Sequence, residues 1–225
     1  MYLVHSRPEI AFAVHQCARF THGTKHSHEK AVLQICKYLE GTIDDGLILR
    51  PSKELQVNCY ADADFAGLFS VEDPQDTSSV KSRSGYVVTF ANCPILWASK
   101  LQTEIALSTL HAEFVSLSQS LRDLLPVKNL IEEVMKNFKV DKPVEFISKS
   151  TVYKDNAGAL RVATCPKITP TSKFIAVKYH WFRQHVENGE ISIEKIGSDL
   201  QKADIFTKSL QDKKFVEMRM LLCGW

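Results

Sequence analysis

Four acidic residues lie in apolar surroundings, where the chain is expected to change from one element to the next. These residues are Asp62, Glu113, Asp155 and Asp204. Each alone has a plain structural interpretation as a turn, a helix cap, an ordinary helix residue or a surface charge. Carboxylate oxygens that leave coordination positions open suit Mg²⁺ or Mn²⁺. Because all four share the same kind of setting, together they predict a joint site for hard divalent cations.

Asp64 is an alternative to Asp62 as a member of this set. The two aspartates are separated by one residue in a predicted strand, so their side chains share one face. Open sheets with parallel strands place their sites beyond the carboxyl ends of those strands, where Asp62 and Asp155 are both expected to lie. Strand alternation by itself leaves both aspartates as candidates.

A basic and aromatic stretch follows the third acidic residue. Between residues 161 and 183 there are five Lys or Arg residues and no acidic residue, and four aromatic residues are interleaved with them. A basic helix near a metal site can follow a phosphate backbone, and Lys173, Lys178 and Arg183 are the expected contacts. The alternative is a solvated face whose aromatic residues belong to the core, and the two interpretations are compatible.

The elements that position these residues are predicted from hydrophobic periodicity and turn residues. Strands are predicted over residues 46–50, 56–63, 85–91, 94–99, part of 144–154 and 190–196. Helices are predicted over residues 9–20, 28–40, 108–121, 125–138, 156–164, 171–188, 200–210 and 213–222. Ser27 and Asp199 are the expected N-caps of two of them. Hairpins followed by alternating strands and helices predict an α/β protein with a mixed sheet and helices on its faces.

Composition excludes several classes of protein. Hydrophobic residues make up 44% and charged residues 24% of the 225 residues, which is ordinary globular usage and not that of a disordered, collagenous or coiled-coil chain. The net charge of +2 argues against a polybasic protein. The six cysteines form no C-x-x-C pair, so we expect free, mostly buried thiols and a reducing compartment rather than a zinc ribbon. Neither a membrane span nor a signal peptide is expected.

Seven short sequence blocks follow one another between residues 60 and 210. They are Y-A-D-A-D-F-A-G at 60–67, S-R-S-G-Y at 82–86, P-I-L-W-A-S-K-L-Q at 94–102, A-L-S-T-L-H-A-E-F at 106–114, Y-K-D-N-A-G-A at 153–159, K-Y-H-W-F-R at 178–183 and A-D-I-F-T-K-S-L at 203–210. In this order they resemble the ribonuclease H domain of copia-type retrotransposon polyproteins, and the resemblance covers roughly residues 55–210. Residues 1–50, with S-R-P-E-I-A-F-A-V near their start, resemble the last part of the preceding reverse transcriptase.

This resemblance implies a ribonuclease H-like fold, namely a mixed five-stranded sheet with helices on both faces over residues 51–225. A short helical remnant of reverse transcriptase over residues 1–50 precedes it. The implied activity is hydrolysis of the RNA strand of RNA–DNA hybrids. The family pattern favours Asp62 over Asp64, and it implies that Asp62, Glu113, Asp155 and Asp204 hold two Mg²⁺ or Mn²⁺ ions, with Asn156 as a further nucleic-acid contact. The implied partners are the hybrid and the rest of a polyprotein, and the implied location is a cytoplasmic virus-like particle or the nucleus.

The chain also departs from the family pattern. His111 replaces the first glutamate of the family's E-A-E, and the segment 172–178 lacks a His and an Asp of the family motif. The polymerase motif Y-V-D-D is absent, so no polymerase activity is expected. Two rival functions remain: an inactive fragment that only binds nucleic acid or serves as a structural module, and an integrase or transposase. The order Asp, Glu, Asp, Asp favours ribonuclease H over the Asp, Asp, Glu order of the second rival.

Overall fold

The chain forms a five-stranded mixed sheet in a computed structural model that describes residues 2–69, 71–72, 76–138, 149–164 and 181–225. The strands are β1 Val57–Asp64, β2 Arg83–Phe90, β3 Cys93–Leu101, β4 Ser150–Lys154 and β5 Ile191–Lys195. Their order across the sheet is β3-β2-β1-β4-β5. β1, β2 and β3 pair antiparallel, whereas β4 pairs parallel with both β1 and β5. The predicted mixed five-stranded sheet is therefore confirmed.

Six α-helices and three short 3₁₀ segments complete the described part of the chain. The helices are α1 Ala11–Ala18, α2 His26–Gly41, α3 Thr109–Asn137, α4 Ala157–Thr164, α5 Arg183–Glu187 and α6 Asp212–Cys223. The 3₁₀ segments are Tyr2–His5, Pro8–Ile10 and Lys202–Phe206. Within the described residues, none of the helices has the length and apolar character needed to cross a bilayer.

The first core lies between one face of the sheet and α3. Val57, Cys59 and Ala61 alternate along β1 and are fully buried, as strand periodicity requires. Phe114 and Leu121 of α3 pack against them in the same cluster. The longest helix, α3, thereby packs over β1 and β2, and β1 carries Asp62.

The second core lies on the opposite face and joins the two ends of the chain. It contains Ala11 of α1, Val87 of β2, Phe206 of the last 3₁₀ segment, and Met218 and Leu222 of α6. Helices therefore cover both faces of the sheet, as predicted. Residues on either side of the expected boundary at residues 50 and 51 share this core, and the division into 1–50 and 51–225 remains a proposal.

Polar contacts reinforce the attachment of the N-terminal segment. Arg7 donates to Glu9 Oε1 at 2.6 Å and to Thr42 Oγ1 at 2.7 Å. The indole Nε1 of Trp97 in β3 donates to the Val4 carbonyl at 2.7 Å. Because Arg7 and Glu9 are both buried, the pair satisfies charges that would otherwise be expensive to remove from water.

Two predicted elements differ because tertiary packing overrides local signals. Residues 109–137 form one continuous helix rather than two, although Pro126 lies inside it. Proline removes a hydrogen bond there, but Leu124 and Ile131 on either side both pack on the first core and keep the helix together. Residues 46–50 form no strand. The Ile48 amide instead donates to the carbonyl of Cys223, at the end of α6.

Two helix starts also differ from the prediction. The helix expected after Asp199 is the short 3₁₀ segment Lys202–Phe206, and its N-cap is Gln201, whose side chain accepts from the Ala203 amide. α2 begins at His26 with Lys25 as its N-cap, not Ser27. Of the helix predicted over 171–188, residues 171–180 lie outside the described residues, and α5 covers Arg183–Glu187.

The cysteines are partly as expected. All five described cysteines are free thiols, and Cys59, Cys93 and Cys223 are buried. Cys17 is half-buried, whereas Cys36 is exposed, so burial was wrongly predicted for Cys36. Cys165 lies outside the described residues.

A candidate metal centre at the ends of two parallel strands

Three of the four predicted acidic residues converge at one edge of the sheet. Asp62 belongs to β1, Asp155 directly follows β4, and Glu113 lies in the second turn of α3. One carboxylate oxygen from each of the three lies within 4.8 Å of the others. Asp62 and Glu113 are only 3% and 4% exposed, whereas Asp155 is half-buried. The cluster is therefore walled by protein on one side and open at Asp155.

The parallel pairing of β1 and β4 brings the two aspartates together. Asn58, Cys59 and Tyr60 of β1 are in register with Thr151, Val152 and Tyr153 of β4. Two residues further along, this register places Asp62 of β1 beside Asp155, which follows β4, at the same edge of the sheet. Carboxyl ends of adjacent parallel strands are the usual location of sites in such sheets.

Hydrogen bonds to α3 set the position of Glu113. Ser116 donates to the backbone carbonyl of Asp62 at 2.6 Å, which fixes one turn of α3 against β1. The buried amide of Gln102 donates to the Ala112 carbonyl at 2.8 Å and to Ser84 Oγ at 3.0 Å. The helix therefore cannot slide along the sheet without breaking buried hydrogen bonds.

Asp204, in the 3₁₀ segment Lys202–Phe206, lies beside this group of three and shares the Lys208 ammonium with Asp62. The fully buried side chain of Gln201 donates to the carbonyls of Ala61 at 3.2 Å and Tyr153 at 3.4 Å, so it ties the segment to both β1 and β4. Thr207, which follows the segment, donates to Asp62 Oδ2 at 2.5 Å. Asp204 itself is 4% exposed.

A glycine in β2 makes this close approach feasible. Gly85 is the register partner of Asp62. A Cβ at position 85 would lie 2.6 Å from Thr207 Cγ2 and 2.7 Å from Phe206 Cβ, closer than real Cβ contacts allow. The glycine of the S-R-S-G-Y block is thus explained by the packing of the 3₁₀ segment on the sheet.

Asp64 lies outside the group of three. It is half-buried, and its carboxylate lies against Gly67, where a Cβ would come within 1.8 Å of Asp64 Oδ2. Burial and the nearby Asp62 raise the pKa of Asp64 above its ordinary value, and Lys208 and Arg83 partly oppose this. Asp64 therefore interacts electrostatically with Asp62 but does not belong to the group of three.

Burial, with a smaller contribution from neighbouring negative charge, raises the pKa of two of these carboxyl groups. Burial raises the pKa of Glu113 to about 7, and Asp62 adds to the rise while Lys154 opposes it. Burial and Asp62 likewise raise the pKa of Asp204 to about 6, against the effect of Lys208. Both shifts disfavour the ionised carboxylates in the free protein, and a bound cation would favour the ionised form.

Two lysines already neutralise part of the cluster. The ammonium of Lys154 donates to Glu113 Oε2, and the Lys154 side chain is completely buried. Lys208 Nζ lies 3.0 Å from Asp204 Oδ1 and 3.8 Å from Asp62 Oδ2, and its side chain is 43% exposed. Burial lowers the pKa of Lys208, but Asp62 and Asp204 outweigh burial and raise it overall.

The donor set fits a hard divalent cation. All four acidic groups offer oxygen atoms, and neither sulfur nor imidazole belongs to the clustered set. Asp204 Oδ1 is buried and, within the described part of the chain, accepts no well-directed hydrogen bond despite the nearby Lys208 ammonium. Asp62, Glu113 and Asp155 would hold an ion directly, with Asp204 beside them.

The predicted nucleic-acid contacts are only partly described. Asn156 caps α4, since its Oδ1 accepts from the amides of Gly158 at 2.9 Å and Ala159 at 3.0 Å. Arg183 is the first residue of α5 and is half-buried. Lys173 and Lys178 lie outside the described residues. Asn156 thus has a structural role next to Asp155 whatever it binds.

Sequence reasoning missed the residues that support the carboxylates. These are Gly85, Lys154, Gln201, Thr207 and Lys208. One signal was available: Lys154 directly precedes Asp155, and Lys208 follows Asp204 by four residues. A cation adjacent in sequence to a suspected ligand is a reason to expect charge compensation in the site. The bonds of Gln201 and Thr207 to β1 left no comparable pattern.

Comparison with known proteins finds relatives over almost the whole chain. No protein-family model matches it. The retrovirus-related Pol polyprotein from transposon RE1 of Arabidopsis thaliana is 30% identical over 214 residues, which is 95% of this chain and 14% of the polyprotein. That from transposon TNT 1-94 of Nicotiana tabacum is 32% identical over 213 residues, 95% of this chain and 15% of the polyprotein. The chain therefore spans about a seventh of the length of these relatives.

One solved structure shows a similar arrangement at low sequence identity. It is the N-terminal RNase H domain of rv2228c from Mycobacterium tuberculosis, solved as a fusion with maltose-binding protein. It is 12% identical, with a TM-score of 0.44, and the match covers 74% of this chain and 97% of that chain.

Proposed function

The chain belongs to the retrovirus-related Pol polyproteins of copia-type transposons, of which it matches one segment, and we propose that it is a ribonuclease H. The proposed reaction is hydrolysis of the RNA strand of an RNA–DNA hybrid. The observation that carries this proposal is the convergence of Asp62, Glu113 and Asp155 within 4.8 Å, in a mixed ribonuclease H-like sheet. Asp204, on a segment tied to the same strands, completes the proposed set.

The proposed cofactor is Mg²⁺ or Mn²⁺, with two ions per site. When bound, the ions would activate the attacking water and stabilise charge on the leaving 3′ oxygen during in-line displacement. The protein's own contribution is to hold its carboxylates in place before the substrate arrives. Thr207 orients Asp62 and Lys154 orients Glu113, so neither ligand needs to reorganise on binding.

Hybrid recognition is proposed to rest on backbone geometry rather than on base sequence. The A-form shape and the 2′-hydroxyl groups distinguish an RNA strand from DNA. Lys173, Lys178 and Arg183 are the proposed phosphate contacts. Asn156 has amide hydrogens left to donate, because its Oδ1 already caps α4. Its place beside Asp155 supports a contact close to the cleaved bond.

Residues 1–50 are proposed to be the end of a reverse transcriptase, and the rest of such a polyprotein is a proposed partner. We expect no polymerase activity from the chain. Hybrids of transposon RNA and its DNA copy would be met inside the cell, in cytoplasmic virus-like particles or in the nucleus. We therefore propose one of these two locations for the chain, because its proposed substrate occurs in them.

The decisive experiment is cleavage of a labelled RNA–DNA hybrid by the purified chain. We expect the RNA strand to be cut in Mg²⁺ or Mn²⁺, and to remain intact when EDTA removes the metal. Double-stranded DNA of the same sequence should remain intact throughout, because it lacks the 2′-hydroxyl groups. A folded chain that leaves the RNA strand whole in both metals would contradict the proposal.

The alternative is an inactive module that only binds nucleic acid or contributes structure. The ion pair of Lys154 with Glu113 favours it, since the fully buried ammonium neutralises one of the proposed ligands. Hybrid binding without cleavage in either metal would support this alternative.

A further inference from the structure

The two lysines of the cluster differ in how firmly they are held. Lys154 is the last residue of β4, an inner strand of the sheet, and its side chain is 0% exposed, so protein encloses its ammonium. Lys208 follows the 3₁₀ segment, where its amide donates to the Asp204 carbonyl at 3.3 Å. Its side chain is 43% exposed. Rotation about its own bonds is therefore enough to carry the Lys208 ammonium out to solvent.

The positions of the lysines divide the cluster into two halves. Lys154 pairs with Glu113 on the α3 side. Lys208 lies between Asp204 at 3.0 Å and Asp62 at 3.8 Å, on the side of the 3₁₀ segment. The group Asp62, Glu113 and Asp155, whose oxygens are mutually within reach of one ion, does not include the Asp204 side. A cation at Asp204 would have to share space with the Lys208 ammonium.

The formal charge of the cluster also favours one divalent ion over two while both lysines are in place. Four ionised carboxylates and two ammonium groups leave the cluster with a charge of −2, which one divalent ion balances. With Lys208 in place, a second divalent ion would bring the formal charge of the cluster to +2, whereas the same two ions leave it at +1 once the Lys208 ammonium withdraws. Like charges at such short range repel strongly even where water screens them.

We infer that Lys208 is a displaceable cation that occupies the place of the second divalent ion in the free protein. The free chain then binds one ion at Asp62, Glu113 and Asp155, and it binds a second ion beside Asp204 only when the Lys208 ammonium withdraws. Lys208 is thus a positioning residue that controls how many ions the site holds. This inference rests on the proposed function, because that proposal supplies the need for two ions.

Titration of the full chain with Mn²⁺ alone tests the inference, with calorimetry and electron paramagnetic resonance to count bound ions. The wild type should bind one ion tightly and a second one weakly. Lys208→Gln should tighten the second binding step by at least about tenfold, since it removes a repulsive charge at contact range. Lys208→Met should do the same. Agreement between two uncharged variants separates this effect from damage to the fold.

Two control variants test whether the charge at position 208 is responsible. Lys208→Arg retains the charge and should resemble the wild type. Lys214→Gln removes a nearby lysine whose ammonium donates to the backbone carbonyls of Ser198 and Asp199, and both binding steps should remain unchanged. Equal tight binding of two ions by the wild type, or unchanged binding in Lys208→Gln, would overturn the inference.

Hybrid cleavage by the wild type in the same buffer separates this inference from the proposed function. Cleavage by the wild type together with an unaffected second ion in Lys208→Gln would overturn the role of Lys208 alone. A tightened second ion in Lys208→Gln without any cleavage by the wild type would overturn the proposed nuclease function and leave the role of Lys208 standing.

Discussion

Asp62 is the carboxylate that links the other residues of the site. It is one of the three residues that can share an ion, it accepts a hydrogen bond from Thr207, and it lies 3.8 Å from Lys208. It also raises the pKa of Glu113 and of Asp204. Changes at this one residue therefore alter both ligand chemistry and the electrostatic energy of the cluster.

Asp62→Asn should abolish cleavage and yet preserve the fold. The asparagine oxygen can still accept from Thr207, but the ligand loses its charge. Hybrid cleavage should fall by more than about a hundredfold, because even outer-shell changes at metal sites cause 10–100-fold losses. Asp64→Asn is the matched control and should lose much less activity, since Asp64 is not in the group of three. An inactive Asp64→Asn beside an active Asp62→Asn would show that Asp64 is the ligand.

The same variant should show a pH-dependent gain in stability. The pKa of Glu113 is raised to about 7 and that of Asp204 to about 6, so the folded chain holds protons that the unfolded chain has released. Stability is therefore lost as pH rises through these values. Without metal, the free energy of unfolding of Asp62→Asn should exceed that of the wild type by about 1 kcal/mol at pH 8, and the gain should shrink towards pH 5. Urea denaturation at the two pH values measures it.

Among the elements, the 3₁₀ segment Lys202–Phe206 depends most on exact packing. It is short, and Gln201 and Thr207 at its two ends bind the sheet directly. Its fit against β2 requires the absence of a side chain at Gly85. The position of Asp204 is thus set by contacts with strands rather than by the segment's own helical hydrogen bonds.

Gly85→Ala should displace this segment. The new Cβ would overlap Thr207 and Phe206, and overpacking of this kind typically destabilises a protein by about 1–3 kcal/mol. Cleavage should fall as well, because Asp204 and the Thr207 bond to Asp62 move together. Gly46→Ala, where a Cβ meets no atom within 4 Å, is the control and should change stability by less than about 0.5 kcal/mol. Thermal unfolding and hybrid cleavage measure both effects, and a fully stable, active Gly85→Ala would refute this account of the segment.

For the molecule as a whole, the N-terminal segment and α6 share one core. Ala11, Met218 and Leu222 belong to the second core, on the face of the sheet opposite α3. The buried Arg7–Glu9 pair lies beside this core, and Glu9 is 3.5 Å from the Cys223 thiol. The buried residues 7–11 therefore belong to the layer of helices that covers this face of the sheet.

Deletion of residues 1–50 should cost the chain its solubility or its cooperative fold. A chain beginning at Pro51 would expose the apolar residues of the second core, and exposed patches of this kind promote aggregation. A chain beginning at Leu3 is the control, since it loses Tyr2, which is 92% exposed, and keeps the core. Gel filtration and thermal unfolding of both chains measure the effect. A soluble chain from Pro51 with full hybrid cleavage would show that the segment is dispensable.

Much of the fold and of the site was predictable from local sequence. Strand alternation and turn residues predicted β1 to β5 within a few residues. The sequence also predicted Asp62, Glu113, Asp155 and Asp204 as one set, of which the first three offer oxygens within 4.8 Å of one another. These features are local, since side-chain periodicity and turn chemistry act over a few residues. The resemblance to copia-type polyproteins, carried by the same blocks, is confirmed by the relatives at 30% and 32% identity.

Only the tertiary structure decided how distant segments meet. Thr207 and Asp62 are 145 positions apart, and Gln201 and Ala61 are 140 apart, so no local pattern could pair them. Packing on the first core also kept α3 continuous through Pro126, against its local helix-breaking signal. The placement of Lys154 and Lys208 among the carboxylates has the same origin. Their charges were visible in the sequence, but whether an ammonium lies buried in the cluster or at its open side depends on the packing of β4 and of the 3₁₀ segment against the sheet.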